Sequence, residues 1–284
     1  MAGRTIVVES KSKIGFSNGY FVVKSEEGNE EIFLDDFDAV IFSELQTTCT
    51  AFLLQALVEN GKTVVVCDER RFPSSIILPL CGIKSGYKKL KEQMLWKDSE
   101  KSIYWKKIVE DKIKSQQQIL MGYDIKVVHF DDVKNGDAGN AEGRFADLYF
   151  KKMFGADFRR HAKDNINSGL NYGYTILLSS MARIVASHGY MNQIGIHHKG
   201  ENNPFNLACD FVEPFRPIVD DIVKLKNGIP LDKEYRAELI RAQYREVSYN
   251  GKRMSLVNAM EEYFLNGMHF FLNGVISEGE LVLL

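Results

Sequence analysis

The chain has 284 residues, of which 45% are hydrophobic and 26% charged, with a formal net charge of −2. That length gives an expectation of two domains, and the composition excludes long disordered tracts. The near-neutral charge excludes a global electrostatic hold on nucleic acid, so any such contact must come from local clusters of Lys and Arg.

The opening MAGRTIVVES runs directly into a strand-like pattern. It lacks the apolar core and small-residue cleavage site of a secretory signal, which points to a cytoplasmic location. Short segments rich in Val, Ile and Phe at 5–8, 20–23, 31–34 and 39–42, separated by Gly, Asn and Asp turns, predict an antiparallel sheet. Residues 50–59 carry Phe52, Leu53, Ala56 and Leu57 at helical spacing and stop at Asn60-Gly61, and a further strand is expected at 63–67. No apolar run, those at 6–8, 64–67 and 76–80 included, approaches the roughly 18 residues of a membrane span. Cys49, Cys67, Cys81 and Cys209 show neither C-x-x-C nor zinc spacing and read as small buried apolar residues.

After Pro73 and Pro79 the period changes to about 3.6, which puts a boundary near 80–86. The expected fold class is α+β: an N-terminal antiparallel sheet or sandwich domain over 1–82, then a larger all-helical domain over 83–284. Helices are predicted at 87–98, 101–121, 140–154, 167–188, 214–226, 231–245 and 254–272. The interruption at 129–140, with Asp-Asp, Asn-Gly and Ala-Gly-Asn, has turn chemistry and predicts a mobile loop.

Three features bear on chemistry. In NAEGRFADLYF (140–150), Asn140 suits an N-cap, and Glu142 shares a helix face with Phe145, Ala146, Tyr149 and Met153, which directs its carboxylate inward. The same first-turn position also suits an acid that simply complements the helix dipole. Asp147 reads as a solvated partner of Lys151. In GIHHKGENNPFNLACDFVEPFRPIVD (195–220), His197 and His198 are expected to point different ways, so at most one serves a given site. Asp210 and Glu213 can converge on one helix N-terminus, with Pro214 disfavouring helical angles at Glu213. Capping is the commoner account of such acids, and a lone His in a loop is more often a hydrogen-bonded structural residue than a ligand. From Lys84 to Lys114 ten Lys stand against five acids, with Tyr87, Trp96, Tyr104 and Trp105 interleaved. The aromatics are expected to be core, while the lysines suit either a phosphate-binding surface or a solvated helix face. Arg159, Arg160, His161 and Lys163 form a second basic cluster.

Taken together, NAEGRFADLYF, NINSGLNYGYTILLSSMARIVASHGY (165–190) and GIHHKGENNPFNLACDFVEPFRPIVD resemble, in order, the CRISPR-associated integrase family, the metal-dependent endonucleases of spacer acquisition, in their type II form. Weaker similarity extends over the N-terminal sheet, CDERRFPSSIILPL (67–80) and SYNGKRM (248–254). The resemblance implies that Glu142, His198 and Glu213 hold a catalytic Mg²⁺ or Mn²⁺. His198-Lys199-Gly200 fits the family's H-x-G form better than His197 does, Asp210 is a possible contributor, and Glu213 stands where many members have Asp. It implies insertion of foreign DNA fragments into a CRISPR array by 3′-hydroxyl attack on repeat DNA, in antiviral defence. It also implies double-stranded DNA (protospacer and repeat) as substrate and homodimerisation through the N-terminal domain; the expectation of no membrane partner comes from the short apolar runs. The implied partners are a small ferredoxin-like dimeric companion, in a heterohexamer, and other type II CRISPR proteins.

Carboxylates suit Mg²⁺ and Mn²⁺, and one imidazole inclines a site toward Mn²⁺, whereas Zn²⁺ usually recruits more His or Cys. Phosphoryl transfer needs mainly positioning and charge neutralisation, so no protein general base is assigned. Two other readings compete on the residues alone. One is a small-molecule enzyme holding iron or zinc, and the other is a non-catalytic DNA scaffold dimerising through the sheet.

Overall fold

A computed structural model of the chain describes residues 5–25, 28–69, 73–77, 86–127, 133–277 and 279–283. Contacts divide it into two units, Met1–Lys84 and Ser85–Leu284. The boundary expected near 80–86 falls mainly on residues 78–85, outside the described residues, as do Cys81 and residues 129–132 of the predicted loop.

In the first unit, strands β1 (Thr5–Val8), β2 (Lys13–Ser17), β3 (Tyr20–Ser25), β4 (Gly28–Phe33), β5 (Ala39–Phe42), β6 (Thr48–Cys49), β7 (Thr63–Cys67) and β8 (Pro73–Ile77) form two four-stranded sheets. Asn18 and Gly19, both at positive φ, make the tight turn that pairs β2 with β3. The antiparallel expectation holds for β2, β3 and β4. It needs correction for the other sheet, of order β1-β5-β7-β8, where β1, β5 and β7 run parallel and only β8 is antiparallel. The reason lies in the connections: α1 (Ala51–Glu59) lies between β5 and β7 in sequence and β2 to β4 lie between β1 and β5, and such crossovers return the chain in the same direction. Thr50 caps α1 through Leu53 N, and Leu53 and Leu57 join Val8, Ile14, Phe21, Phe37, Val40 and Val64 in one apolar core.

The second unit is built on two long helices, α3 (Asp98–Gly122) and α5 (Asn165–Ser187). Around them lie α2 (Gly86–Met94), α4 (Ala141–Phe154), α6 (Asn206–Val212), α7 (Arg216–Lys226), α8 (Lys233–Arg241) and α9 (Leu256–Asn273). The unit is not all-helical as expected. Asn250-Gly251, both at positive φ, turn β9 (Glu246–Tyr249) into β10 (Lys252–Ser255), and β11 (Leu281–Leu283) adds to the other edge of β9. Gln118 of α3 ties β11 down, donating to Leu281 O at 2.9 Å and accepting from Leu283 N at 2.8 Å. Of the aromatics in the Lys-rich run, Trp96, Tyr104 and Trp105 are buried and Tyr87 is exposed, so the core reading of that run holds for three of the four.

On α7, the fully buried Asp220 accepts a hydrogen bond from the Tyr174 hydroxyl of α5. Burial pushes its pKa up to about 6, the tyrosine contact opposing it only in part. A carboxyl whose folded pKa lies above its unfolded value contributes stability below pH ~4, and that stability is lost as pH rises through the folded value, a span worth about 3 kcal/mol. Asp220→Asn is therefore expected to remove this loss. In urea unfolding its stability relative to wild type should improve by about that amount between pH 4 and pH 8. A difference independent of pH would contradict the assignment.

Candidate active site

Helix α4 starts where Asn140, at φ 49°, accepts from Gly143 N at 3.3 Å, while the Asp137 carboxylate accepts from Ala141 N at 2.6 Å and Glu142 N at 3.1 Å. These acceptors satisfy the donors that a helix start leaves open. Glu142 is thereby free of capping duty. Its Oε1 accepts from Lys112 Nζ at 2.6 Å, pointing inward as the helix face predicted. Asp147, by contrast, pairs with Lys151 at 2.7 Å on the exposed face, as expected.

Glu213 sits in a continuous right-handed run formed by α6, a 3₁₀ turn at Glu213–Phe215 and α7, with φ −53° and ψ −46°. The expectation that Pro214 would keep it out of helical angles is thus corrected. Val212 and Phe215 on either side are fully buried, and that packing outweighs a pre-proline preference. Nor do Asp210 and Glu213 converge on one helix N-terminus. Asp210 lies within α6 and turns toward the 196–198 loop, while Glu213 turns toward α3.

Glu213 Oε2 accepts from the same Lys112 Nζ at 2.6 Å, and its Oε1 pairs with Arg216 at 2.9 Å. Burial pushes the Glu213 carboxyl up, but the Arg216 and Lys112 charges outweigh it and hold it below its usual range. Lys112 is itself buried; the carboxylates of Glu213 and Glu142 overcome that burial and keep its pKa above the ordinary lysine value.

Asp210 has no exposed surface and takes four donors: the backbone N–H groups of Ile196 (2.6 Å), His197 (3.2 Å) and His198 (3.0 Å), and His198 Nδ1 (2.7 Å). It organises the loop, and its oxygens are taken up in doing so. Gly195 is required for this approach, since a Cβ there would stand 2.4 Å from His198 O and 2.8 Å from Asp210 Oδ2. The bond from Asp210 raises the His198 pKa against burial, and the Glu213 charge adds to it. With Nδ1 engaged by Asp210, His198 is left with Nε2, the arrangement in which a carboxylate behind the ring orients a metal-binding imidazole. His197 faces elsewhere, as anticipated, its ring stacked on Trp105 at 4.2 Å and 3°. Beside His198 opens a groove of about 680 Å³ lined in part by Lys101, Gln193, Lys199 and Asn203.

Glu142 and Glu213 thus meet at one point, and His198 stands near enough to feel the Glu213 charge. Among the described residues no three His, Cys, Asp or Glu side chains close up as a metal cage. The point where the two carboxylates meet is taken by a cation, the Lys112 ammonium. Two carboxylates and an imidazole with a bare Nε2 nonetheless suit a hard divalent ion in their chemistry. Sequence reasoning missed Lys112, Arg216 and Asp137. A signal existed for the first: Lys112 lies on the helical stripe of Trp105, Ile108, Val109 and Gln116, where a charge is out of place.

This fold, a sheet unit followed by a helical unit, carries in the helical unit two carboxylates and an imidazole, the donor types of a candidate metal-dependent enzyme. The CRISPR associated protein Cas1 family matches residues 5–136 and 137–227. A CRISPR-associated endonuclease Cas1 of Neisseria meningitidis serogroup C (strain 8013) is 30% identical over 273 residues, covering 92% of this chain and 90% of that protein. A Cas1 protein from Thermotoga maritima shares the fold at TM-score 0.78 and 12% identity, over 97% of this chain and 99% of the other. A casposase bound to its integration product does so at TM-score 0.77 and 18% identity, over 96% and 92%. The chain belongs to the CRISPR-associated Cas1 family. The resemblance seen in its three motifs is borne out. No helix among the described residues is long and apolar enough to cross a membrane.

Proposed function

We propose that the chain is a metal-dependent DNA endonuclease and integrase that inserts foreign DNA fragments as new spacers into a CRISPR array, with Glu142, His198 and Glu213 as its cation ligands. The observation that carries the site is the meeting of two carboxylates, 71 positions apart, at a single positive charge, with the Asp210-held imidazole of His198 within range of the Glu213 charge. Mg²⁺ or Mn²⁺ bound there would polarise the scissile phosphate and acidify the attacking 3′-hydroxyl. The protein's own groups do the rest. Asp210 fixes the His198 tautomer, Arg216 keeps Glu213 ionised, and the groove lined by Lys101 and Lys199 accommodates the DNA strand. No side chain is assigned as general base.

The substrates proposed are a protospacer duplex and the CRISPR repeat. The unit spanning 1–82 is proposed to dimerise the protein and the unit 83–284 to carry catalysis. Assembly with a small ferredoxin-like companion dimer into a heterohexamer, and contact with other type II CRISPR proteins, complete the reading. Membership in an endonuclease family favours this over a small-molecule iron or zinc enzyme and over a non-catalytic scaffold.

The test is strand transfer of a 3′-hydroxyl duplex into a supercoiled plasmid carrying a CRISPR repeat. Product is expected in Mg²⁺ or Mn²⁺ and none after chelation. Equal product in chelator would overturn the metal-dependent reading, and DNA binding without transfer in either metal would favour the scaffold.

A further inference from the structure

We infer that Lys112 is a built-in counter-cation of this site, which holds Glu142 and Glu213 together in the metal-free protein and competes with the divalent ion for the same two carboxylates. The inference rests on the reading of Glu142, His198 and Glu213 as the cation-binding set.

The geometry is unusual for a structural ion pair. One Nζ lies 2.6 Å from a carboxylate oxygen of each glutamate, and the side chains are 10% (Lys112), 26% (Glu142) and 2% (Glu213) exposed. Two ionised carboxylates converging in such a place repel each other and lose solvation unless a positive charge stands between them. Arg216 compensates the other oxygen of Glu213, and Glu142 has its ion pair with Lys112. Lys112 is thus the charge that makes the convergence possible. A divalent ion offers the same neutralisation with twice the charge, so the ammonium and the ion cannot both keep close contact with both oxygens.

The residue type fits this role. An ammonium is a compact point charge on a flexible four-carbon stem, able to give up two acceptors by rotation, whereas a guanidinium fork would be fixed in place. The stem is rooted in α3 beside the buried Val109 and Ile113, so the backbone that carries it is held by packing that does not depend on the ammonium's contacts.

The experiment measures Mn²⁺ binding to the full chain, stripped of metal, by electron paramagnetic resonance of the free ion, together with thermal unfolding with and without Mn²⁺. Lys112→Met is expected to bind Mn²⁺ at least tenfold more tightly than wild type. Its metal-free form should melt at a lower temperature, and added Mn²⁺ should raise its Tm by more than it raises that of wild type. Lys112→Gln, which keeps a donor without the charge, should show the same tightening. Unchanged or weaker Mn²⁺ binding in both variants, or failure of both to fold even with Mn²⁺ present, overturns the inference. Glu142→Gln and His198→Ala are measured alongside. If they bind Mn²⁺ as wild type does, the ligand assignment itself fails and the counter-cation falls with it. If they lose the ion but the Lys112 variants do not gain affinity, the counter-cation role alone is refuted.

Discussion

Glu142→Ala is expected to lower strand transfer by roughly 1,000-fold or more while leaving the fold intact, because it removes one of the carboxylates proposed to hold the cation of phosphoryl transfer. The structure separates the two effects. The start of α4 is capped by Asp137 and Asn140, so the helix does not depend on Glu142. Lys112 keeps Glu213 as a partner when Glu142 is gone. The stability cost should therefore be only about 1 to 2 kcal/mol. A plasmid strand-transfer assay in Mg²⁺ and in Mn²⁺, run beside a urea melt, decides the matter. Integration at the wild-type rate by the folded variant would remove Glu142 from the site.

The second large effect is expected at Asp210, a residue assigned here to orientation. Asp210→Ala leaves three backbone N–H groups and the His198 imidazole without their acceptor in a buried loop. Breaking such a network costs about 3 to 5 kcal/mol, and the loss of loop geometry should take the His198 orientation, and with it strand transfer, away. Asp210→Asn offers the finer measurement. Its single carbonyl oxygen replaces two carboxylate oxygens, so amide hydrogen exchange at residues 196–198 should quicken even if the protein stays folded. An alanine variant destabilised by less than about 1 kcal/mol would show that the carboxylate is not what organises the loop.

The two sites of effect differ in how far they could be read beforehand. The inward direction of Glu142 follows from helix periodicity with Phe145 and Tyr149, an interaction within one turn or two, and the structure agrees. The role of Asp210 does not follow from spacing, because its partners lie 12 to 14 residues upstream in an irregular loop. The backbone at Glu213 went against its local preference for the same kind of reason, since buried neighbours on both sides decided it.

The sequence by itself determined the elements whose signals are local. Strands at Thr5–Val8, Ala39–Phe42 and Thr63–Cys67, the cap at Asn140, the Asp147–Lys151 pair and the motifs that mark the family all rest on residues within a few positions of one another. Tertiary structure alone decided the parallel order of β1, β5 and β7, the pairing of β11 with β9, and the place of Lys112 between glutamates 30 and 101 residues away. Strand order and charge convergence are set by which distant segments pack together. Local propensity carries no information about that choice, because the free energy that makes it comes from burial and from charges meeting only once the chain is folded.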